Sequence, residues 1–216
     1  MRTAVKICGL TRHGDAVAAA EAGADYLGVV FAPGTPRDRT PEEARRIWSE
    51  LPISRVGVFV DPDPPRVGRL AETLHLAVIQ LHGEEDAELC RRVREACSSR
   101  IWKAARLRAP SDMMLALDRY AEHVDGLLVE GWSELGPGGV GAGFDWSWAG
   151  AGGLEWPDGL QLVLAGGLNA GNVARAVEVV RPDVVDVSSG VERVPGIKDE
   201  EAMRSFLEEV KRVSGR

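Results

Sequence analysis

The feature that most constrains this chain is an alternation: short β-branched runs are followed by longer segments of amphipathic pattern, eight times over. The strand-like runs are Ala4 to Cys8, Tyr26 to Val30, Arg55 to Val60, Ala77 to Gln80, Ile101 to Ala105, Gly126 to Val129, Leu160 to Leu164 and Val184 to Val187. Between them the periodicity predicts helices over Asp15 to Ala22, Pro41 to Glu50, Pro64 to Thr73, Asp86 to Ala96, Ser111 to Tyr120, Asn172 to Val180 and Asp199 to Val213. The helical pattern of the sixth unit is the weakest. Thr40, Pro41, Glu42 and Glu43 form a start signal, a hydroxyl cap ahead of a first-turn proline with acids near the positive end of the helix dipole. Ser111 and Asp112 suggest a similar start for the fifth helix.

Strand and helix units in strict alternation place a parallel sheet inside a layer of helices. Eight of them within 216 residues suit a single-domain (β/α)8 TIM barrel spanning residues 1–216, with its active site on the loops that follow the strands. An open doubly wound sheet is the alternative. No GxGxxG opens the first helix, however, and the glycine clusters follow the seventh and eighth strands instead. The glycine-rich run from Gly136 to Gly143 reads as a mobile active-site loop within one unit, not a domain boundary.

Composition narrows the partners. With 26 basic against 33 acidic residues the net charge is -7, and without a long run of one sign a nucleic-acid surface is not expected. No stretch of about eighteen apolar residues is present to span a membrane, and the N-terminus has no signal-peptide pattern. Cys8, Cys90 and Cys97 form neither a CxxC pair nor a metal-ligand spacing, so no metal is expected and a reducing, cytoplasmic setting is. Cys90 and Cys97 are read as packing residues of one helix.

Strand parity then singles out residues for chemistry. If Val5 and Ile7 face the helices, Lys6 and Cys8 point into the barrel. A lysine there requires a carboxylate, because an unpaired buried charge is too costly. In a closed barrel the last strand lies beside the first, and Asp186 has the inward parity, so a Lys6 to Asp186 pair is predicted. Cys8, at the C-terminal end of its strand, stands where barrel enzymes put catalytic groups. Its thiol becomes a base or nucleophile if a cation or dipole lowers its pKa from about 8.5; otherwise it is a small apolar residue. The turns Ala165 to Asn169 and Ser188 to Glu192 follow strands seven and eight, the two positions that build many barrel phosphate sites. Gln80 and His82 leave strand four, Arg37 lies in the loop after strand two, and Glu130 ends an apolar strand with an acid that completes an acid and base pair with Cys8.

Together these residues resemble the phosphoribosylanthranilate isomerase family over nearly the whole chain. The likeness is carried by VKICGLTR at 5–12, GVVFAPGTPR at 28–37, RVGVFVDP at 55–62, IQLHGEE at 79–85, GGVGAGFDW at 138–146, LAGGLNAGNV at 164–173 and VDVSSGVERVPGIKD at 185–199. The resemblance implies an isomerase of tryptophan biosynthesis that needs no cofactor. Its reaction is the Amadori rearrangement of N-(5-phosphoribosyl)anthranilate to 1-(2-carboxyphenylamino)-1-deoxyribulose 5-phosphate. It also implies that Cys8 removes the proton from ribose C2 and that Glu130 protonates the furanose ring oxygen. Arg37 would lie at the anthranilate carboxylate and Asp186 beneath the amine, with Gln80 and His82 lining the pocket. Gly166, Gly167, Ser188, Ser189 and Gly190 would hold the phosphate. Two departures stand out. Glu130 occupies a position that is aspartate in the familiar pattern, and Ala142 one that is often lysine; the loop after Glu130 also reads as one residue longer. A misplacement of about an ångström can cost on the order of a hundredfold in rate. Another phosphosugar barrel enzyme, an epimerase or an indoleglycerol phosphate synthase, and a non-catalytic phosphosugar-binding relative are the alternative readings. The chain suits either a monomer or a homodimer.

Overall fold

A computed structural model describes residues 2–131, 144–150 and 156–214; the glycine-rich run from Gly136 to Gly143, with Ala142, lies outside them. Eight parallel strands close into a barrel in sequence order. They are β1 (Ala4–Ile7), β2 (Tyr26–Val30), β3 (Ser54–Phe59), β4 (Val78–Leu81), β5 (Arg100–Leu107), β6 (Gly126–Gly131), β7 (Gln161–Leu164) and β8 (Val184–Val187). Around them pack α1 (His13–Ala22), α2 (Pro41–Ile47), α3 (Pro64–Leu74), α4 (Ala87–Ala96), α5 (Pro110–Tyr120), α6 (Val173–Val180) and α7 (Glu200–Ser214). Between β6 and β7 the described residues hold only a 3-10 turn, Trp146–Trp148. A two-stranded hairpin, β9 (Glu192–Val194) with β10 (Ile197–Lys198), follows β8. No helix among the described residues is long and apolar enough to cross a membrane.

Helix starts follow local chemistry. Thr40 and Glu43 exchange bonds at the head of α2: Glu43 N–H donates to Thr40 Oγ1 at 3.2 Å and Thr40 N–H to Glu43 Oε2 at 2.8 Å. Asp63 and Asp86 cap α3 and α4 by accepting from Arg66 and Leu89. At α5 the expected cap is displaced. The helix begins at Pro110, and Asp112 reaches back to accept from Arg108 N–H at 2.7 Å and Ala109 N–H at 3.0 Å. Proline at the first position sets the start there, since its missing N–H is one the helix would leave free anyway.

One device recurs at the N-terminal end of the barrel. Asp25, Asp125 and Asp183 each precede an even-numbered strand and accept from the preceding odd strand, at Val5, Ile101 and Leu162, over 2.9, 2.7 and 2.8 Å. Each aspartate's own N–H donates back to that strand, to Val5, Ile101 and Leu162 carbonyls in turn. Two otherwise free backbone groups per pair are satisfied, and the register of β1 to β2, β5 to β6 and β7 to β8 is pinned. The interior of the lower barrel is apolar: Tyr26, Val56, Val78, Trp102, Leu128, Val163 and Val184 fill it. The polar inward residues Lys6, Gln80, Arg106, Glu130 and Asp186 collect toward the C-terminal ends of their strands.

Candidate active site

The closing register of the barrel sets Lys6 directly opposite Asp186. Lys6 is fully buried, and its Nζ meets Asp186 Oδ2 at 2.9 Å. Asp186 Oδ1 is also buried and has no partner among the described residues. Cys8 follows β1, with its N–H donating to Val187 O at 2.9 Å. Gly28 on β2 clears space for both side chains: a Cβ there would stand 3.0 Å from Cys8 Sγ and 3.1 Å from Lys6 Cε. Burial pushes the Cys8 thiol above its ordinary pKa; the neighbouring Lys6 cation pulls down and Asp186 pushes up, and burial prevails. For Lys6 burial works the other way, but Asp186 and Cys8 more than offset it and hold the ammonium above its ordinary value.

Across the mouth, Glu130 lies next to the end of β6 beside Arg106 of β5, its partner in the strand register. Two donors converge on one oxygen: His82 Nε2 lies 3.2 Å and Arg106 Nε 3.4 Å from Glu130 Oε1. Arg106 also donates to Glu84 Oε1 at 2.6 Å and to the His82 carbonyl. His82 Nδ1 is 3.1 Å from Gln80 Nε2, and Gln80 Oε1 is buried without a partner among the described residues. Burial raises the Glu130 pKa, but His82 and Arg106 outweigh it, so the group rests below the ordinary glutamate value.

The loop that presents His82 has its own anchor. Glu85 is buried and accepts from Gly83 N–H at 2.9 Å, from Asp61 N–H at 2.9 Å and from Lys103 Nζ at 3.1 Å. Three elements are thereby tied to one carboxylate.

The turns after β7 and β8 touch. Gly166 and Gly167 have positive φ of 84° and 66°, a region closed to most side chains. Gly190 lies so close to the first turn that a Cβ would fall 1.9 Å from Leu168 O. Gly167 O is held by Asn172 Nδ2 at 2.9 Å, and Ser189–Val191 forms a 3-10 turn after Ser188. Ser188 meanwhile borders the Cys8 end of β1: a Cβ on Gly9, whose φ is 71°, would stand 2.8 Å from Ser188 Oγ and 2.5 Å from Arg37 Cδ.

Arg37 therefore reaches the site, but its fork is engaged. Nε and Nη2 bind Glu192 at 2.9 and 2.6 Å. Lys198 Nζ joins the same carboxylate at 2.8 Å and Ser188 O at 3.0 Å. Burial raises the pKa of Glu192, yet Arg37 and Lys198 hold it below the ordinary range; burial also pulls Lys198 down.

One end of the barrel thus gathers Lys6, Cys8, Arg37, Gln80, His82, Glu130, Asp186 and the two glycine turns. Sequence reasoning misses Arg106, Glu192 and Lys198. Arg106 was within reach of the parity argument, since Trp102, Ala104 and Arg106 alternate inward on β5 and Arg106 registers with Glu130. Glu192 and Lys198 had no such signal, because their partner Arg37 is 155 residues from Glu192.

Residues 5–209 match the family model of N-(5'phosphoribosyl)anthranilate (PRA) isomerase. The chain is 47% identical over 214 residues to the N-(5'-phosphoribosyl)anthranilate isomerase of Geobacter sp. (strain M21), covering 98% of this chain and 100% of that one. It is similar to the crystal structure of phosphoribosyl anthranilate isomerase from Thermotoga maritima, with a TM-score of 0.86, 42% identity and coverage of 97% and 98%. It is also similar to a phosphoribosyl anthranilate isomerase solved with reduced 1-(o-carboxyphenylamino)-1-deoxyribulose 5-phosphate, at a TM-score of 0.82, 42% identity and the same coverage.

Proposed function

The chain belongs to the N-(5'-phosphoribosyl)anthranilate isomerase family, and from that premise we propose that Cys8 is the general base and Glu130 the general acid of its isomerase reaction. The carrying observation is one buried thiol beside Lys6 and one buried carboxyl beside Arg106, set on opposite sides of a mouth floored by the β7 and β8 turns.

The order of events follows from charge. The substrate phosphate sits on the N–H groups of Gly166, Gly167, Ser189 and Gly190 with the Ser188 and Ser189 hydroxyls. The anthranilate amine donates to Asp186 Oδ1, the buried oxygen without another partner. The amine lone pair forms C1=N while the electrons of the C1 to ring-oxygen bond move to oxygen, which takes the proton of Glu130. The resulting iminium is a new cation near Cys8. It offsets the burial that keeps the thiol protonated and favours the thiolate. Cys8 then removes the C2 proton, the C–H electrons neutralise the iminium as an enamine, and the enol tautomerises to the ketone. Arg37, held by Glu192, offers its remaining Nη1 edge to the anthranilate carboxylate, while Gln80 and His82 line the pocket.

Three cysteines without disulfides suit a cytoplasmic enzyme, acting as a monomer or homodimer. The test is decay of anthranilate fluorescence when the substrate is added to pure protein. Cys8→Ala and Glu130→Ala should each remove most turnover, and Glu130→Asp should keep a measurable rate. A Glu130→Ala enzyme as fast as the parent would assign the acid to another residue.

A further inference from the structure

Lys198 is buried and takes no part in the reaction steps. We propose that it is a positioning residue for the substrate phosphate: by holding the Ser188 carbonyl it aims the Ser189 N–H at the phosphate dianion and strengthens it as a donor. The inference rests on the phosphate reading of the β7 and β8 turns and deepens it.

The hairpin places the lysine. Lys198 of β10 pairs in register with Glu192 of β9, and its fully buried ammonium reaches Glu192 Oε1 at 2.8 Å and Ser188 O at 3.0 Å. The second bond leaves the hairpin and lands on the turn that precedes it. Other loops fix the backbone from which the side chain extends. Lys198 N–H donates to Asp15 Oδ2 at 3.1 Å, and Asp15 is itself held by Arg12 at 2.6 and 3.0 Å. At the hairpin bend the Gly196 carbonyl accepts from the Thr11 hydroxyl. Gly196, with a φ of 84°, also lies so near the loop after β2 that a Cβ would stand 3.2 Å from Pro36 O. The loops after β1 and β2 therefore decide where the ammonium sits.

Peptide geometry carries that placement to the turn. No cis peptide occurs among the described residues, so the Ser188 carbonyl and the Ser189 N–H, members of one planar trans unit, point in opposite directions. With the carbonyl on Lys198, the N–H is directed away from the buried cation. Val191 N–H donates to the same carbonyl at 3.4 Å, so two donors fix one orientation. Ser189 opens the 3-10 turn and is half-buried beside exposed Gly190; the first N–H of such a turn has no partner within it. A cationic donor on the carbonyl polarises the peptide and makes its N–H the stronger donor.

Charge points the same way. Arg37 and Lys198 share the single carboxylate of Glu192, and the side chains of Arg37, Glu192 and Lys198 are only 14%, 4% and 0% exposed. Two cations on one anion leave this cluster a surplus positive charge, which is costly away from water unless an anion meets it. A phosphate on the far side of the Ser188 peptide is such an anion.

The experiment measures kcat, KM, competitive inhibition by inorganic phosphate and the thermal midpoint for the wild type and Lys198→Met. Methionine removes the ammonium while Glu192 keeps both bonds from Arg37, so no buried carboxylate is stranded. KM and the phosphate inhibition constant should each rise about tenfold or more, the worth of one hydrogen bond to a charged group, with kcat within threefold. Phosphate inhibition within threefold of the wild type would overturn the proposal. A defect confined to kcat or to the thermal midpoint would make Lys198 a hairpin anchor only, and would overturn it as well. A second measurement needs no variant: in the wild type, inorganic phosphate should move the Ser189 amide proton resonance downfield, saturating with the inhibition constant. An unmoved Ser189 amide while phosphate still competes would remove the role of Lys198 and leave the phosphate reading standing. A wild type that phosphate does not inhibit would remove that reading, and the proposal with it.

Discussion

Replacing Gly190 by alanine tests whether the two glycine turns form one phosphate cradle. The new Cβ would lie 1.9 Å from Leu168 O, and real Cβ contacts essentially never fall below 3.0 Å, so the turns must part by about 1.1 Å. No side chain can yield, because the obstacle is backbone on a turn already held by Asn172 at Gly167 O. Overpacking of this kind costs about 1–3 kcal/mol of stability, and a displacement of about an ångström in a positioning element costs on the order of a hundredfold in kcat/KM. The assay measures kcat/KM with the phosphorylated substrate, competitive inhibition by inorganic phosphate, and the thermal midpoint. The expected variant folds with a lowered midpoint, loses phosphate inhibition and shows most of its defect in KM. If Gly190→Ala kept both kcat/KM and phosphate inhibition within threefold of the parent, the cradle would not be formed by these turns.

Removing one partner of the buried Lys6 to Asp186 pair, as in Lys6→Met, should destabilise the barrel by about 3–5 kcal/mol, read from urea midpoints; the conservative swap Asp186→Asn should also lose substrate affinity. Stability should fall in acid with a definite sign. Glu130 and Glu192 have folded pKa values below the ordinary 4.5, so their contribution is present above that value and is lost as pH drops through the folded ones. Glu192→Gln should flatten the decline of the urea midpoint below about pH 4.5, and an unaltered slope would remove Glu192 from the account. The same variant releases Arg37 and should alter KM for the anthranilate more than kcat. Glu85→Gln leaves the buried Lys103 without its countercharge and should lower the thermal midpoint by several degrees, with a smaller rate loss through the loop that carries His82.

Several features were legible in the amino-acid order because they depend on short periods. Strand alternation has a period of two, so once a closed ring puts β8 beside β1, Lys6 and Asp186 must face each other. Glycines at 166 and 167 announce a turn because their positive φ excludes most other residues, whereas Gly190 is required by the approach of Leu168 O, which only the fold brings about. Helix caps were legible at Thr40 but not at α5, where Pro110 moved the start ahead of Ser111. Arg37 could be placed in the loop after β2 from the sequence, yet its engagement by Glu192, a carboxylate it shares with Lys198, depends on the β9 to β10 hairpin, which no local pattern encodes.

The sequence by itself determined the eight-unit barrel, the inward residues at each strand end and the position of the thiol and carboxyl, since each follows from covalent periodicity and the need to bury apolar faces. Only the tertiary structure decided the state of those groups. Whether Glu130 meets water, a cation or another carboxylate depends on register and loop closure, which bring Arg106 and His82 to a single oxygen. Likewise Cys8 owes its raised pKa to burial that Lys6 only partly offsets. Charge interactions depend on distance and dielectric, and both are properties of the folded chain.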